Sequence, residues 1–414
     1  MRRLLTLLCS GLFLVGQASA HLRLRAIGDI QVANVQELEY LSRSLLPELM
    51  VPAVGDTVQV LNLFMGDQTN KDLTLMPAIR GMLDCLPDGY HTVLGNHDRD
   101  LDGHTPVDST YRAVFGAPDY SLDLDNVHLM VLNDVYALRK RDYEGRLTEA
   151  QLAWLRQDLQ QSHGQTHYVL AMHIPAFELK NAEALLEVFE QQGVKHLLIL
   201  SAHLHQVARG VMTRPSGMVV QELSVGATCG HWWRGERNDD GVPHAMMQGG
   251  TPRGYFVFDF SEEDYRFRFK GVDRDESHQM TLYLPGLDSL DAHIDTLAQR
   301  PLGEVYATVY GACDSTRVCC QLDDGAWIEG EQVPVMDSNV ARIQQLNKEE
   351  VFPTRHSRID PIRRGISRQV WRFRFDPSAL KGVHQLHVLA TDPYGFEAQG
   401  SKVFYYKSPL SRKE

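Results

Sequence analysis

Tyr90-His91-Thr92-Val93-Leu94-Gly95-Asn96-His97-Asp98 carries a short apolar run directly into a group of metal-binding side chains. The same arrangement occurs four more times. Leu22 to Ile27 leads into Gly28-Asp29-Ile30-Gln31, and Val58 to Met65 into Gly66-Asp67. Tyr168 to Ala171 leads into Met172-His173, and Leu197 to Leu200 into Ala202-His203-Leu204-His205. Short runs of this kind, together with Val127 to Leu132, read as buried strands. Helical spacing fills the gaps at Asn34 to Met50, Leu73 to Leu86 and Asn181 to Gln192. A further helix is marked by the capping box Thr148 and Gln151, with Leu152, Leu155 and Leu159 on one face. Alternating strands and helices predict a layered α/β domain whose strands are largely parallel near their carboxyl ends. Donors placed at those ends converge on one rim of the sheet. Asp, Asn, Gln and His are the oxygen and nitrogen donors of hard and borderline divalent metals. In this order they read as a two-metal hydrolase.

After Gln206 the pattern changes. Val219 to Leu223, Tyr255 to Phe260 and Tyr265 to Lys270 read as strands with no helix between them. Gly226 to Gly254 is a long segment rich in Gly, Trp and His, and a loop of that length in a compact domain is usually functional. From Met280 onward the chain alternates in short strands: Glu304 to Tyr310, Arg317 to Leu322, Gln369 to Phe375, Gln385 to Ala390 and Lys402 to Tyr406. Turns such as Asp323-Asp324-Gly325 and Asp392-Pro393-Tyr394-Gly395 separate some of them, which is the pattern of a β-sandwich. The expected division is a signal segment at 1–20, an α/β domain at 21–275 and a small all-β sandwich at 276–414. A chain of 414 residues is long enough for two such cores.

Arg2 and Arg3, the apolar stretch Leu4 to Gly16 and the small-residue site Ala18-Ser19-Ala20 predict a cleaved export signal, too short to span a bilayer. The protein is therefore expected to be periplasmic or secreted, with no membrane span in the mature chain. The formal net charge is −12, and losing Arg2 and Arg3 makes it −14, which argues against a nucleic-acid polymer or an anionic membrane as partner. A phosphorylated substrate stays open, because bound cations reverse the sign locally. Beyond the signal lie Cys85, Cys229, Cys313, Cys319 and Cys320, an odd count in an oxidising compartment. A bridge from Cys313 to the Cys319-Cys320 pair, across a hairpin at Asp314 to Arg317, is the one disulfide the spacing suggests.

Asp29-x-Gln31, Gly66-Asp67, Gly95-Asn96-His97-Asp98, His173 and Ala202-His203-x-His205 together resemble the signature of the calcineurin-like metallophosphoesterase superfamily, from about Leu22 to Lys270. Cys229 to Trp233, Gly241-Val242-Pro243-His244, Gly254-Tyr255 and Ala390 to Gly395 resemble the branch with an appended C-terminal β domain. The resemblance implies a four-layer β-sandwich flanked by helices. It implies that Asp29, Gln31 and His205 hold one cation, that Asn96, His173 and His203 hold another, and that Asp67 bridges them. The metals would be a divalent pair such as Mn, Fe or Zn, and a bridging hydroxide would attack phosphorus. His97 would assist the leaving group and Asp98 would orient His97.

Three positions depart from the pattern. Gln31 stands where histidine is commonest, which leaves affinity and metal identity at that site open. Ala202 replaces a glycine, with an expected shift of the local backbone. Asn70 stands where purple acid phosphatases have a tyrosine, which argues against an iron–tyrosinate centre. For substrate selection the candidates are Trp232 and Trp233 as stacking platforms, Arg234, Arg237 or Arg253 as phosphate grips, His231 and His244 near the reacting centre, and Tyr120, Tyr136 and Arg99 lining the cleft. The expected substrate is a phosphorylated small molecule or a glycan-linked phosphate, hydrolysed as a mono- or diester. The alternatives are a nucleotidase or nucleotide pyrophosphatase with the same centre, and a surface protein that holds glycan beside a vestigial metal site.

Overall fold

The computed structural model describes residues 21–51, 58–104, 106–139, 141–162, 164–349 and 365–406. The predicted export signal at 1–20 lies outside the described residues. The first part of the chain contains β1 (Leu22–Ile27), β2 (Gln59–Phe64), β3 (Tyr90–Thr92), β4 (Tyr120–Leu124), β5 (Val127–Val131), β6 (Val135–Ala137), β7 (Tyr143–Gly145), β8 (His167–Ala171), β9 (His196–Ser201), β10 (Val207–Thr213), β11 (Val219–Val225), β12 (Gly254–Phe260) and β13 (Tyr265–Gly271). Interspersed are helices α1 (Val35–Arg43), α2 (Leu45–Leu49), α3 (Met76–Leu83), α4 (Ser109–Phe115), α5 (Glu149–Gln161) and α6 (Ala182–Gln191).

Two sheets form from these strands, in the orders β13-β12-β1-β2-β3 and β10-β11-β9-β8-β5-β4. β1, β2 and β3 are mutually parallel, and so are β5, β8, β9 and β11. Because successive side chains on a strand point to opposite faces, each apolar run serves two layers. Leu22, Leu24, Ala26, Leu61 and Leu63 of the first sheet share one core with Leu129, Val131, Val169, Ala171, Leu198 and Leu200 of the second. On the outer faces Ile27 and Phe64 pack with Leu38, Leu41, Ile79 and Leu83 of the helices. Met130, Leu170, Leu197 and Ile199 pack with Leu152, Leu155, Leu159, Leu185 and Phe189. The layers are therefore helix, sheet, sheet, helix. The capping box of α5 forms as the sequence predicts, with Gln151 N–H on Thr148 Oγ1 at 3.2 Å and Thr148 N–H on Gln151 Oε1 at 2.8 Å.

The C-terminal part is a pair of four-stranded antiparallel sheets. Val305, Ala307, Val309, Trp371 and Phe373 of one face Val318, Cys320, Leu386, Val388 and Phe404 of the other. Two features differ from the sequence expectation. A helix, Ser338–Lys348, is inserted among the strands, started by Asp337 accepting from the N–H groups of Asn339 and Val340. Cys313, Cys319 and Cys320 are buried and are not joined by a disulfide. Adjacent residues on a strand point to opposite faces, so Cys319 and Cys320 cannot both turn toward one partner. Cys320 points into the inter-sheet core, while Cys313 takes a contact from the Thr316 hydroxyl.

The same buried cluster runs from the first pair of sheets into the second. At the junction Arg209 on β10 meets Asp392 at 2.6 and 3.1 Å, both side chains being fully buried. Arg209 also donates to Gln221 Oε1 at 2.7 Å and lies over the rings of Phe267 and Phe396. Asp392 accepts further bonds from Thr316 Oγ1 and the Tyr394 N–H.

A second charge cluster centres on the buried His128 of β5. Its Nδ1 lies 2.7 Å from Asp123 and its Nε2 lies 2.8 Å from Asp158. Burial pulls this imidazole down, but the two carboxylates more than offset it, and the net shift is upward. A folded-state pKa above the unfolded value of about 6.5 contributes stability that is full below about pH 6.5 and is lost as pH rises through the folded value. His128→Gln should therefore lower the melting temperature more at about pH 6 than at about pH 9. An equal loss at both pH values would contradict this reading.

Candidate metal centre

Each donor stands just beyond a strand end, where the chain must turn sharply. Asp29, Gln31, Asp67, His203 and His205 all have positive φ, between 34° and 65°. Only a few per cent of non-glycine residues adopt this conformation, at a cost of about 1–2 kcal/mol each. Its concentration at five of the seven predicted ligands marks a site where the surrounding structure imposes the backbone. Ala202 is outside this set, so the position does not demand glycine. The neighbouring glycines are required. A Cβ on Gly66 (φ +99°) would sit 2.3 Å from His173 Nδ1, and one on Gly95 would sit 2.1 Å from the Asp67 nitrogen.

The strand ends of both sheets meet here. His203 N–H bonds Asp29 Oδ2 at 3.0 Å, joining the loop after β9 to the loop after β1. His97 N–H bonds Asp67 Oδ1 at 2.7 Å, joining the loops after β3 and β2. His173 sets its Nδ1 2.9 Å from the Met65 carbonyl, which fixes a proton there and turns Nε2 inward. That Nε2 lies 3.1 Å from Asn96 Oδ1, 3.4 Å from Asp67 Oδ1 and 3.3 Å from His203 Nδ1. His205 likewise places Nδ1 2.6 Å from the Gly230 carbonyl, and its Nε2 is 3.8 Å from Asp29 Oδ1. Ligand atoms of Asp67, His173 and His203 all fall within 4.8 Å of one another.

This collection gathers metal-ligating atoms without a fixed cation. Asp29, Asp67 and Asp98 are buried carboxyls, and none has an Arg or Lys ion-pair partner among the described residues. Asp29 Oδ1 is buried without a hydrogen-bond partner. Burial pushes Asp29 well up. Burial would also raise Asp67, but His173 and His97 hold it well below the usual carboxylate range. Burial pulls His173 down, yet Asp67 and Asp29 drive it to about 10. Burial and His173 press His203 to about 3, and burial takes His205 to about 4. Without metal, a proton kept on Asp29 and a positive charge on His173 balance the buried carboxyls, and a divalent cation can take the place of those protons. The donor set fits divalent metal.

The calcineurin-like phosphoesterase family model matches residues 22–207, and the model for its C-terminal region matches residues 222–397. The chain belongs to the calcineurin-like phosphoesterases. No curated protein matches it. Among solved structures this phosphoesterase is similar to a purple acid phosphatase from yellow lupin (Lupinus luteus) seeds, at 13% identity and a TM-score of 0.42. That match covers 61% of this chain and 52% of the lupin chain, so it spans about half of that enzyme. It is similar to PhoD at 9% identity and a TM-score of 0.41, with 71% of each chain covered. It is also similar to a 5′-nucleotidase from Candida albicans at 10% identity and a TM-score of 0.36, with 61% and 52% covered.

Several residues of the phosphoesterase have duties that differ from those the sequence suggests. Asp98 does not orient His97. Its carboxylate accepts the N–H groups of Gln68, Thr69 and Gly95 at 3.0–3.1 Å, and so ties the loops after β2 and β3 together. Burial and the nearby Asp67 raise it to about 7. His97 Nδ1 is buried without a hydrogen-bond partner, while Nε2 lies 3.9 Å from Asp67 Oδ2. Gln31 presents its amide nitrogen to Asp67 Oδ2 at 3.3 Å, with its oxygen toward Cys229 Sγ at 3.8 Å. A half-turn of the amide exchanges the two and offers oxygen to a cation.

Trp233 is a core residue: its Nε1–H bonds the Ile30 carbonyl at 2.8 Å and its ring packs on Tyr40. Trp232 is half-buried beside His205 and His231, with ring centroids 5.0 and 4.4 Å away, and borders the centre. His231 is buried under Trp232. Arg99 is buried, spends its guanidinium on the carbonyls of Asn96 and Arg141, and lies over the Tyr143 ring at 4.8 Å. Arg234 is exposed and acts electrostatically on Glu37, and His244 is exposed with its N–H on the Glu236 carbonyl. Both of these contacts are with groups outside the metal-binding set.

Two residues of the site are not among the candidates named from the sequence. Asp134, fully buried, accepts the N–H groups of His173 and Ile174 at 3.2 and 2.9 Å and holds that loop in place. Tyr143 on β7 meets His203 edge-on at 6.2 Å. Tyr143 does not follow the pattern of an apolar run ending in a donor, whereas Asp134 comes just after the apolar run Val127 to Leu132, the same signal that marks the other donors.

Proposed function

We propose that the protein hydrolyses phosphate mono- or diesters with a pair of divalent cations. Asp29, Gln31 and His205 would hold one, Asn96, His173 and His203 the other, and Asp67 would bridge them. The observation that carries this reading is the meeting of His173 Nε2, His203 Nδ1, Asn96 Oδ1 and Asp67 Oδ1 around one point. When bound, such a pair of cations supplies positive charge for the phosphoryl oxygens and makes an activated water available near neutral pH. The chain's own residues do the rest. The side with half-buried His97, His203, Tyr143 and Trp232 is where a phosphoester can enter, since Asp29, His173 and His205 are enclosed.

Burial lowers the His97 pKa, so its imidazole is mostly neutral and carries one N–H. That N–H can hold a phosphoryl oxygen or pass its proton to a leaving alkoxide. His97→Ala should keep its metal and slow turnover by about 10²–10⁴, most for alkyl esters with poor leaving groups. Loss of metal along with activity would require the ligand set to be redrawn. Turnover of a chromogenic aryl phosphate with added Mn²⁺ tests the reaction, and a bis-aryl diester beside it separates diesterase from monoesterase. No turnover of either, in protein that carries metal, would overturn the proposal.

The same reading places the chain outside the cytoplasm, on the basic, apolar and small-residue order of positions 2–20. No helix of the described residues is long and apolar enough to cross a membrane. The substrate we favour is a phosphorylated small molecule or a glycan-linked phosphate.

A further inference from the structure

A cleft of about 1250 Å³ opens on the C-terminal sheets, lined in part by Met280–Tyr283 and by Glu397–Tyr406. A second depression of about 650 Å³ shares Thr281, Leu282, Asn339 and Lys402 with it, so the two form one elongated groove. The larger part alone exceeds the roughly 300–1,000 Å³ of a typical small-molecule site. Its fixed charges balance, with Asp273 and Asp275 against Arg274 and Lys402. Asp273, Asp275 and Lys402 are also engaged, Asp275 by the Ser277 N–H at 2.9 Å. Asp273 pairs with Arg253, and Lys402 Nζ donates to the Leu282 carbonyl at 2.9 Å. In the smaller part Arg342 is held by Asp288 and Asp291. A polyanion would find no loose cationic row there.

What the groove does offer is planar hydrogen-bonding side chains and aromatic rings. Gln321, Gln399, Asn339 and His387 line it, with half-buried Trp327 in the larger part and Tyr405, 64% exposed, in the smaller. An aromatic face packs on the C–H face of a sugar ring while amides and imidazoles bond its hydroxyls. An extended peptide adding a strand would need an open sheet edge. The strand Met280–Tyr283 instead packs against Glu397–Tyr406, where a Cβ on Gly400 would lie 2.6 Å from Met280, and Lys402 occupies the Leu282 carbonyl.

We propose that this groove binds a neutral oligosaccharide chain. The proposal is independent of the phosphoesterase reading. It has a structural link to the metal centre all the same: Met246 and Gly250 line the cleft, and between them Gln248 N–H bonds the His205 carbonyl at 2.9 Å. One short segment thus forms cleft wall and braces a metal-binding histidine.

The test is calorimetry and tryptophan fluorescence on the intact protein with cellohexaose, chitohexaose, maltohexaose and xylohexaose, each up to about 5 mM. At least one should bind and perturb the fluorescence. Trp327→Ala should weaken that binding about tenfold or more, with melting temperature and aryl phosphate turnover unchanged. Gln399→Ala, at an exposed position, should weaken it about threefold and guards against a folding defect in the first variant. Failure of all four sugars to bind, full binding by Trp327→Ala, or displacement of the sugar by an unstructured peptide mixture would each overturn the proposal. Loss of phosphoesterase activity alone would leave it standing, because sugar binding is read directly.

Discussion

Asp67→Asn should abolish turnover, with kcat/KM falling by about 10³ or more, equivalent to about 4 kcal/mol of transition-state stabilisation. The side chain is buried, and burial would raise its pKa, but His173 and His97 hold the carboxylate well below its usual range. Asparagine keeps the shape and one acceptor for the His97 N–H, which now bonds at 2.7 Å, so the loop should survive. What disappears is the charge facing His173, Gln31 and the proposed cations. Bound metal should fall with activity, because a neutral amide is a weaker donor than a carboxylate. The far-ultraviolet circular dichroism of metal-free protein should change little, while its melting temperature should fall, because the buried His173 loses the carboxylate it faces. Unchanged turnover would remove Asp67 from the bridging position.

Asp392→Ala should destabilise the protein by about 3–5 kcal/mol, the cost typical of leaving one buried charge without its partner. Arg209 would keep Gln221 and the rings of Phe267 and Phe396 but lose both carboxylate contacts, in a place with no access to water. The Thr316 hydroxyl and the Tyr394 N–H would lose their acceptor as well. Restoring balance should restore stability. The double substitution Arg209→Met with Asp392→Leu should recover most of the loss, since a well-packed apolar pair often equals a buried ion pair. Urea denaturation followed by fluorescence gives the comparison. A shift under about 1 kcal/mol for Asp392→Ala would mean that the junction relaxes or hydrates around the arginine.

The fold is readable because its strands are short apolar runs bounded by turn residues, and both faces of most are buried. Leu22–Ile27 and Arg317–Leu322 appear at the residues expected, and the helix after Thr148 begins on its capping box. Ser338–Lys348 escapes such a reading because only Val340 and Ala341 of its apolar residues are well buried, which gives a weak helical period among strand signals. The donors of the candidate centre are readable for a related reason: each follows a strand, so order along the chain becomes nearness at one rim.

Partnership is not readable. A carboxylate at position 98 can face an imidazole or three backbone N–H groups, and only the folded loops decide in favour of the latter. Trp232 and Trp233 are adjacent, yet one borders the centre and the other is sealed against Tyr40. Asp134 supports His173 from 39 positions away, a relation that spacing does not encode.

Elemental analysis of the purified protein, performed on wild type and on His173→Ala, is the most direct test of the central claim. Wild type should carry close to a pair of first-row transition-metal ions per chain. His173→Ala should lose a large share of them, since its Nε2 lies among Asn96, Asp67 and His203. Metal-free wild type that still hydrolyses phosphoesters at full rate, or His173→Ala with an undiminished metal content, would contradict the account.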